Sequence, residues 1–148
     1  MTKEEKQLLL KELCARLLYG VKGRYCLYDS KGNLTDFGNE PEIVENIDLQ
    51  KEKIWTDGTV QGYYLDEFKI YLRPMDSMTE EEYEEYEKAN DLDTDDSSET
   101  LKENMRAKSR VRISKWYHGV DWLNAHHFDY RGLIEKGLAL EAPEDMYK

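Results

Sequence analysis

The chain has few of the residues that mark specialised small proteins. Its 148 residues include two cysteines, Cys14 and Cys26, and three prolines. Two cysteines make no disulfide framework, and their spacing is not that of a zinc knuckle. This points to a reducing compartment and a core held by apolar burial. No apolar run approaches the length of a membrane span. The opening Met1-Thr2-Lys3-Glu4-Glu5-Lys6 lacks a signal-peptide cleavage region. A cytoplasmic protein with no membrane association is expected. The sequence also lacks a glycine-rich phosphate loop, a Gly-x-Ser-x-Gly elbow and a His-Glu-x-x-His pair. Nothing in it calls for a cofactor or a metal ion.

What is present suits one domain over 1–148. A chain of this size buries roughly 68–70% of its unfolded surface, enough for a core without staples. Hydrophobic residues make up 39% and charged residues 36%, and tyrosine, with 11 copies, dominates the aromatics. The net charge of −11 is concentrated rather than spread. Residues 76–100 carry twelve carboxylates against Lys88 alone, which accounts for the whole imbalance. Directly after them come Lys102, Arg106, Lys108, Arg110, Arg112 and Lys115, against Glu103 alone. An acidic strip is thus followed by a basic one.

Periodicity predicts a helix from Thr2 to Tyr19, with Leu10, Leu13, Cys14, Leu17 and Leu18 as its apolar face. Thr2 and Glu5 have capping-box spacing, and Gly20 is placed to end the helix. On this pattern Cys14 is buried and Cys26 exposed. Val21 to Tyr28 alternates as a strand, and Leu34 to Phe37 returns as its partner. Further strands are expected near Ile43–Leu49, Lys53–Thr56 and Thr59–Tyr63, with Asp57-Gly58 as a short hairpin turn. The expected sheet is small and antiparallel, with three to five strands. Tyr64 to Leu72 shows helical spacing and stops before Pro74, a strand over Lys69–Leu72 being the alternative. Thr79 and Glu82 announce a surface acidic helix with Met78 and Tyr83 as its staple. Residues 90–100 read as a mobile acidic loop, Leu101–Lys108 as a helix and Arg110–Ser114 as a strand. A C-terminal helix carries Trp116, Val120, Leu123 and His127 on one face. Leu133, Ile134, Leu138 and Leu140 bring the tail back onto the body, and order ends at Pro143. The fold class is α+β.

The densest chemistry lies in Asp121-Trp122-Leu123-Asn124-Ala125-His126-His127-Phe128-Asp129-Tyr130-Arg131-Gly132. Such a mixture is costly to bury without specific partners. His118, Asp121, His126, His127 and Asp129 are the candidates for acid–base catalysis. His126 and His127, adjacent on a helix, point about 100° apart and do not face one metal. Packing of His127 under the tail and stacking of His126 near Trp122 compete with that role. Asp91-Leu92-Asp93-Thr94-Asp95-Asp96 begins like a calcium loop, but Asp96 stands where glycine is needed and Lys102 where the bidentate glutamate belongs. The basic run of Arg106, Lys108, Arg110, Arg112 and Lys115, beside Trp116 and Tyr117, has the ingredients for nucleic-acid binding. Neutralisation of the tethered acidic strip is favoured over it.

Two blocks carry a resemblance: Tyr71-Leu72-Arg73-Pro74-Met75-Asp76-Ser77-Met78-Thr79-Glu80-Glu81-Glu82, and Asp121 through Tyr147 with its Trp-Leu-Asn-Ala-His-His-Phe-Asp-Tyr-Arg-Gly-Leu-Ile run. With the opening helix they cover about half the chain, and they resemble small uncharacterised proteins encoded by gut-dwelling anaerobic bacteria and their phages. The resemblance implies a phage or mobile-element setting and transfers no activity. The leading expectation is an accessory or regulatory protein that binds another protein, with Trp122, His126, Phe128, Tyr130 and Arg131 as contact residues. A small enzyme with a His/Asp site and an acidic decoy that mimics DNA are the alternatives.

Overall fold

The Thr2 hydroxyl accepts the Glu5 N–H, and the Glu5 carboxylate accepts the Thr2 N–H, closing a full capping box. Helix α1 (Lys3–Arg16) follows, then a 3-10 turn (Leu17–Tyr19) that Gly20 ends in the left-handed region at φ 66°. The computed structural model describes residues 1–90 and 119–147. The acidic loop at 90–100 (apart from Asn90), the helix at 101–108, the strand at 110–114, the calcium-like run, the basic run, Trp116 and His118 lie outside the described residues.

The face of α1 differs from the expected stripe. Leu9, Glu12, Leu13 and Arg16 are buried, whereas Leu18 is 92% exposed. The cysteine expectation is reversed, since Cys14 is exposed and Cys26 buried. Spacing alone favours the all-apolar stripe. The helix instead faces inward with a charged pair, because tertiary partners for that pair come from far along the chain.

Seven strands form one sheet: β1 (Lys22–Tyr28), β2 (Leu34–Phe37), β3 (Glu42–Asp48), β4 (Lys53–Thr56), β5 (Tyr63–Tyr64), β6 (Phe68–Leu72) and β7 (Ala139–Glu141), in the order β5-β4-β3-β1-β6-β7 with β2 also on β1. The C-terminal half of β1 pairs with β2, and its first residues pair with β3. β2 and β3 are therefore successive partners of one strand, separated by the Gly38–Pro41 break. All pairings are antiparallel except β6 with β7, which is parallel.

The sheet exceeds the three to five strands expected, for two reasons. Phe68–Leu72 is a strand, not a helix, and it is buried on both faces except at Lys69. A doubly covered strand loses the period-two signal, so its apolar run imitates helical spacing. The tail supplies the other strand. Asp57-Gly58 is not a tight hairpin turn either. The Asp57 carboxylate accepts the Ile43 N–H at 2.8 Å, which fastens the start of a longer loop to β3.

The core unites Leu9 and Leu13 of α1 with Val21, Val44, Ile54, Leu65, Phe68, Ile70 and Leu72 of the sheet region, and with Leu133, Leu138 and Ala139 of the tail. Order does not stop at Pro143. The Tyr147 hydroxyl accepts the Lys22 N–H at 2.9 Å and donates to the Tyr71 carbonyl at 2.9 Å. Helix α2 (Glu80–Asn90) is the expected surface acidic helix, and residues 119–125 are helical. No described helix is long and apolar enough to cross a membrane.

Candidate functional site

The helical stretch 119–125 ends in a Schellman arrangement. The Phe128 N–H reaches the Leu123 carbonyl at 2.9 Å, and the His127 N–H reaches Asn124 at 3.1 Å. His127 takes the left-handed position at φ 60°, where glycine is usual. The segment then docks on the end of β6, with Arg73 N–H on the His127 carbonyl and Asp129 N–H on the Arg73 carbonyl, each at 2.8 Å.

Beneath it lies a buried ion cluster. Arg16 pairs with Glu12, and both side chains are fully shielded from solvent. Arg16 also donates to the Phe128 carbonyl at 2.6 Å, and Arg131 Nε lies 2.8 Å from the second Glu12 oxygen. The Tyr130 ring lies close to both guanidiniums, at 5.5 Å from Arg16 and 5.3 Å from Arg131. Two positive groups and one carboxylate leave this cluster net positive.

Arg16 of this cluster also acts on His127. Its Nε2 contacts the Tyr19 carbonyl at 3.0 Å, so Nε2 carries the proton, while the buried Nδ1 has no hydrogen-bond partner. Burial, followed by the Arg16 charge, pushes the imidazole down to about 4. The ring stacks on Tyr147 with centroids 3.8 Å apart.

The remaining candidates serve separate local bonds. Asp121 accepts the Tyr19 hydroxyl at 2.6 Å, and Asp129 accepts the N–H groups of Leu133 and Ile134 at 2.8 and 2.9 Å. His126 bonds the Trp122 carbonyl at 2.9 Å and stacks on the indole. Of the expected contact residues, Phe128 is fully buried. Tyr130 donates to Asn124, and Arg131 is held by Glu12. Trp122 and His126 are half-buried. The segment is thus built mainly as a brace, and its histidines and aspartates do not meet at one substrate-sized point.

Trp122 connects the brace to a different surface. Its ring lies 5.8 Å from Phe128 and 5.7 Å from Tyr86 of α2. Beside Tyr86 runs an open groove of about 600 Å³ whose apolar lining is Met75, Met78, Tyr83 and Tyr86 and whose acidic lining is Asp76, Glu80, Glu84 and Glu87. Met75 is 42% and Tyr83 53% exposed.

Arg73 anchors the helix that carries this groove. Its two terminal nitrogens donate to the two Glu82 oxygens at 2.6 and 2.8 Å, and its guanidinium lies 4.2 Å over the Phe128 ring. The Arg73 bond holds the Glu82 carboxyl down at about 2. For a depressed acid, the stabilisation is complete above the unfolded value near 4.5 and disappears as pH falls toward 2. Replacing Arg73 with alanine is expected to cost about 1.5–3 kcal/mol, the range for a charged hydrogen-bonded pair. Amide exchange should rise most in α2. Arg73→Lys should recover only part, since an ammonium cannot make the bidentate contact. Unchanged exchange in α2 would show that the pair does not hold the helix.

Among the described residues no group of three or more histidine, cysteine or acidic side chains is placed to hold a metal ion. Comparisons with protein-family models, curated proteins and solved structures found no match. Sequence reasoning missed Glu12, Arg16 and Tyr147. The signal available was an i, i+4 ion pair wedged among leucines, which reads equally well as a solvated pair.

Proposed function

We propose that the protein acts by binding another protein through the face formed by α2 and Trp122, as an accessory or regulatory factor in a phage or mobile-element setting. The exposed methionine–tyrosine groove carries this reading. Methionine adapts to irregular apolar partners, and tyrosine and tryptophan supply most of the energy at interfaces. Trp122 adjoins this surface through Tyr86, and His126 stacks on Trp122, whereas Tyr130 and Arg131 are engaged by Asn124 and Glu12. The apolar floor favours this reading over an acidic DNA mimic, which needs only the carboxylate row. An acid–base site gains no support from histidines and aspartates committed to separate bonds.

The test is affinity capture from a lysate of a gut anaerobe, followed by measured affinity for the captured protein. Met78→Ala/Tyr83→Ala should weaken binding about tenfold or more without unfolding the chain, as removal of interface anchors does. A folded double variant that binds the same protein with equal affinity would remove this face as the contact.

A further inference from the structure

The groove's chemistry also specifies the kind of segment that fits it, and this step rests on the protein-binding function proposed above. We propose that the occupant is a partner's cationic amphipathic helix lying along α2, with its apolar row on Met75, Met78, Tyr83 and Tyr86 and its lysine or arginine side chains competing with the chain's own basic run for the groove's glutamates.

Charge is the first reason. Glu80, Glu84 and Glu87 are exposed and form no ion pair among the described residues, unlike Glu82, which Arg73 neutralises. They recur at i, i+4 and i+7, so they form one row along the helix. Over two turns, at 1.5 Å per residue, that row runs for roughly 10 Å. A second copy of α2 would bring the same negative row to face it, which disfavours self-association through this surface.

Backbone accounting is the second reason. The groove borders a helix, not a sheet edge, so an extended peptide would find no ladder of N–H and C=O groups to pair with. A helix satisfies its own backbone and needs only side-chain contact. The groove supplies that contact through exposed Met75 and Tyr83, with Met78 and Tyr86 also in its lining.

The test uses the full chain, labelled with nitrogen-15, and a designed 18-residue helical peptide with leucines on one face flanked by lysines. A second peptide carries glutamate in place of each lysine. The lysine peptide should shift amide signals in residues 75–87 and at Trp122, and the glutamate peptide should not bind. Glu84→Lys/Glu87→Lys should weaken the lysine peptide roughly ten- to a hundredfold, the sum of several rim pairs, and the difference should shrink at high salt. Shifts elsewhere on the surface, no shifts at millimolar peptide, or equal binding of the glutamate peptide would each overturn the cationic-helix assignment. The captured natural partner separates the two levels. If its affinity depends on Met78 and Tyr83 but ignores Glu84→Lys/Glu87→Lys, protein binding stands and the cationic helix falls. If it ignores both pairs, both fall.

Discussion

Arg16→Ala should destabilise the fold by about 3–5 kcal/mol, the usual cost of orphaning one member of a buried ion pair. Domains of this kind are stable by only about 5–15 kcal/mol, so the variant should lose a large fraction of its stability and unfold at clearly lower urea. The physical origin is specific. Removing the guanidinium leaves Glu12 shielded from solvent with Arg131 as its remaining counter-ion, and it strips the Phe128 carbonyl of its 2.6 Å donor. Glu12→Ala should cost a similar amount, because it leaves two guanidiniums in one place. The double variant Glu12→Ala/Arg16→Ala should lose clearly less than the sum of the two, since neither member of the pair is then left without its partner. Urea unfolding of the four proteins gives the coupling energy. Simple additivity would mean that the two groups are not energetically one unit.

The second large effect is acid sensitivity centred on His127. A base whose folded pKa is lowered binds fewer protons folded than unfolded between the two values. Its stabilisation is complete above about 6.5 and is lost as pH falls toward about 4. Between pH 7 and pH 5 this amounts to roughly 2 kcal/mol, from 1.36 kcal/mol per unit of pKa. The loss has a definite place. A charged imidazole would face Arg16 and Arg73 and would lie against the Tyr147 ring that straps the tail to Lys22 and Tyr71. Exchange of the amides near β7 and Tyr147 should therefore accelerate first on mild acidification. His127→Asn tolerates the left-handed backbone and does not titrate. It should be less stable at pH 7, yet its stability should vary little from pH 7 to pH 5. A variant that keeps the full acid slope would assign the effect to other groups. Glu82 acts in the same direction but at lower pH, between about 4.5 and 2, so the two contributions can be separated along one titration.

Several features are legible in the amino-acid sequence alone. Both capping boxes, Thr2 with Glu5 and Thr79 with Glu82, occur as the spacing indicates. These are local devices in which a side chain meets the backbone three residues away, so the pattern needs no tertiary help. The β1–β2 hairpin with its Asp29–Asn33 turn is equally local, and the Asp29 carboxylate accepts the Lys31 and Asn33 N–H groups. At Phe68–Leu72 the expected helix gave way to its strand alternative for the opposite reason. Its two edges are taken by β1 on one side and β7 on the other, which makes it an interior strand, and β7 lies some seventy residues downstream. The interaction groove was visible only in outline, as a helix with a thin apolar side. Its floor needs Met75 and Met78 to fold back against Tyr83, and its edge needs Trp122 to reach Tyr86 from a distant part of the chain.

Chain composition and short-range spacing determined the α+β class, the starts of α1 and α2, the sharp separation of negative and positive strips, and the unusual density of polar aromatics before the tail. Tertiary structure alone decided which face of α1 turns inward, that the tail joins the sheet as a parallel strand, and that the Trp122–Arg131 segment braces the core more than it presents a surface. The reason is one of range. Caps and turns are settled within a few residues, whereas a buried Glu12–Arg16 pair is tolerable only when Arg131 and the Phe128 carbonyl arrive from more than a hundred residues away.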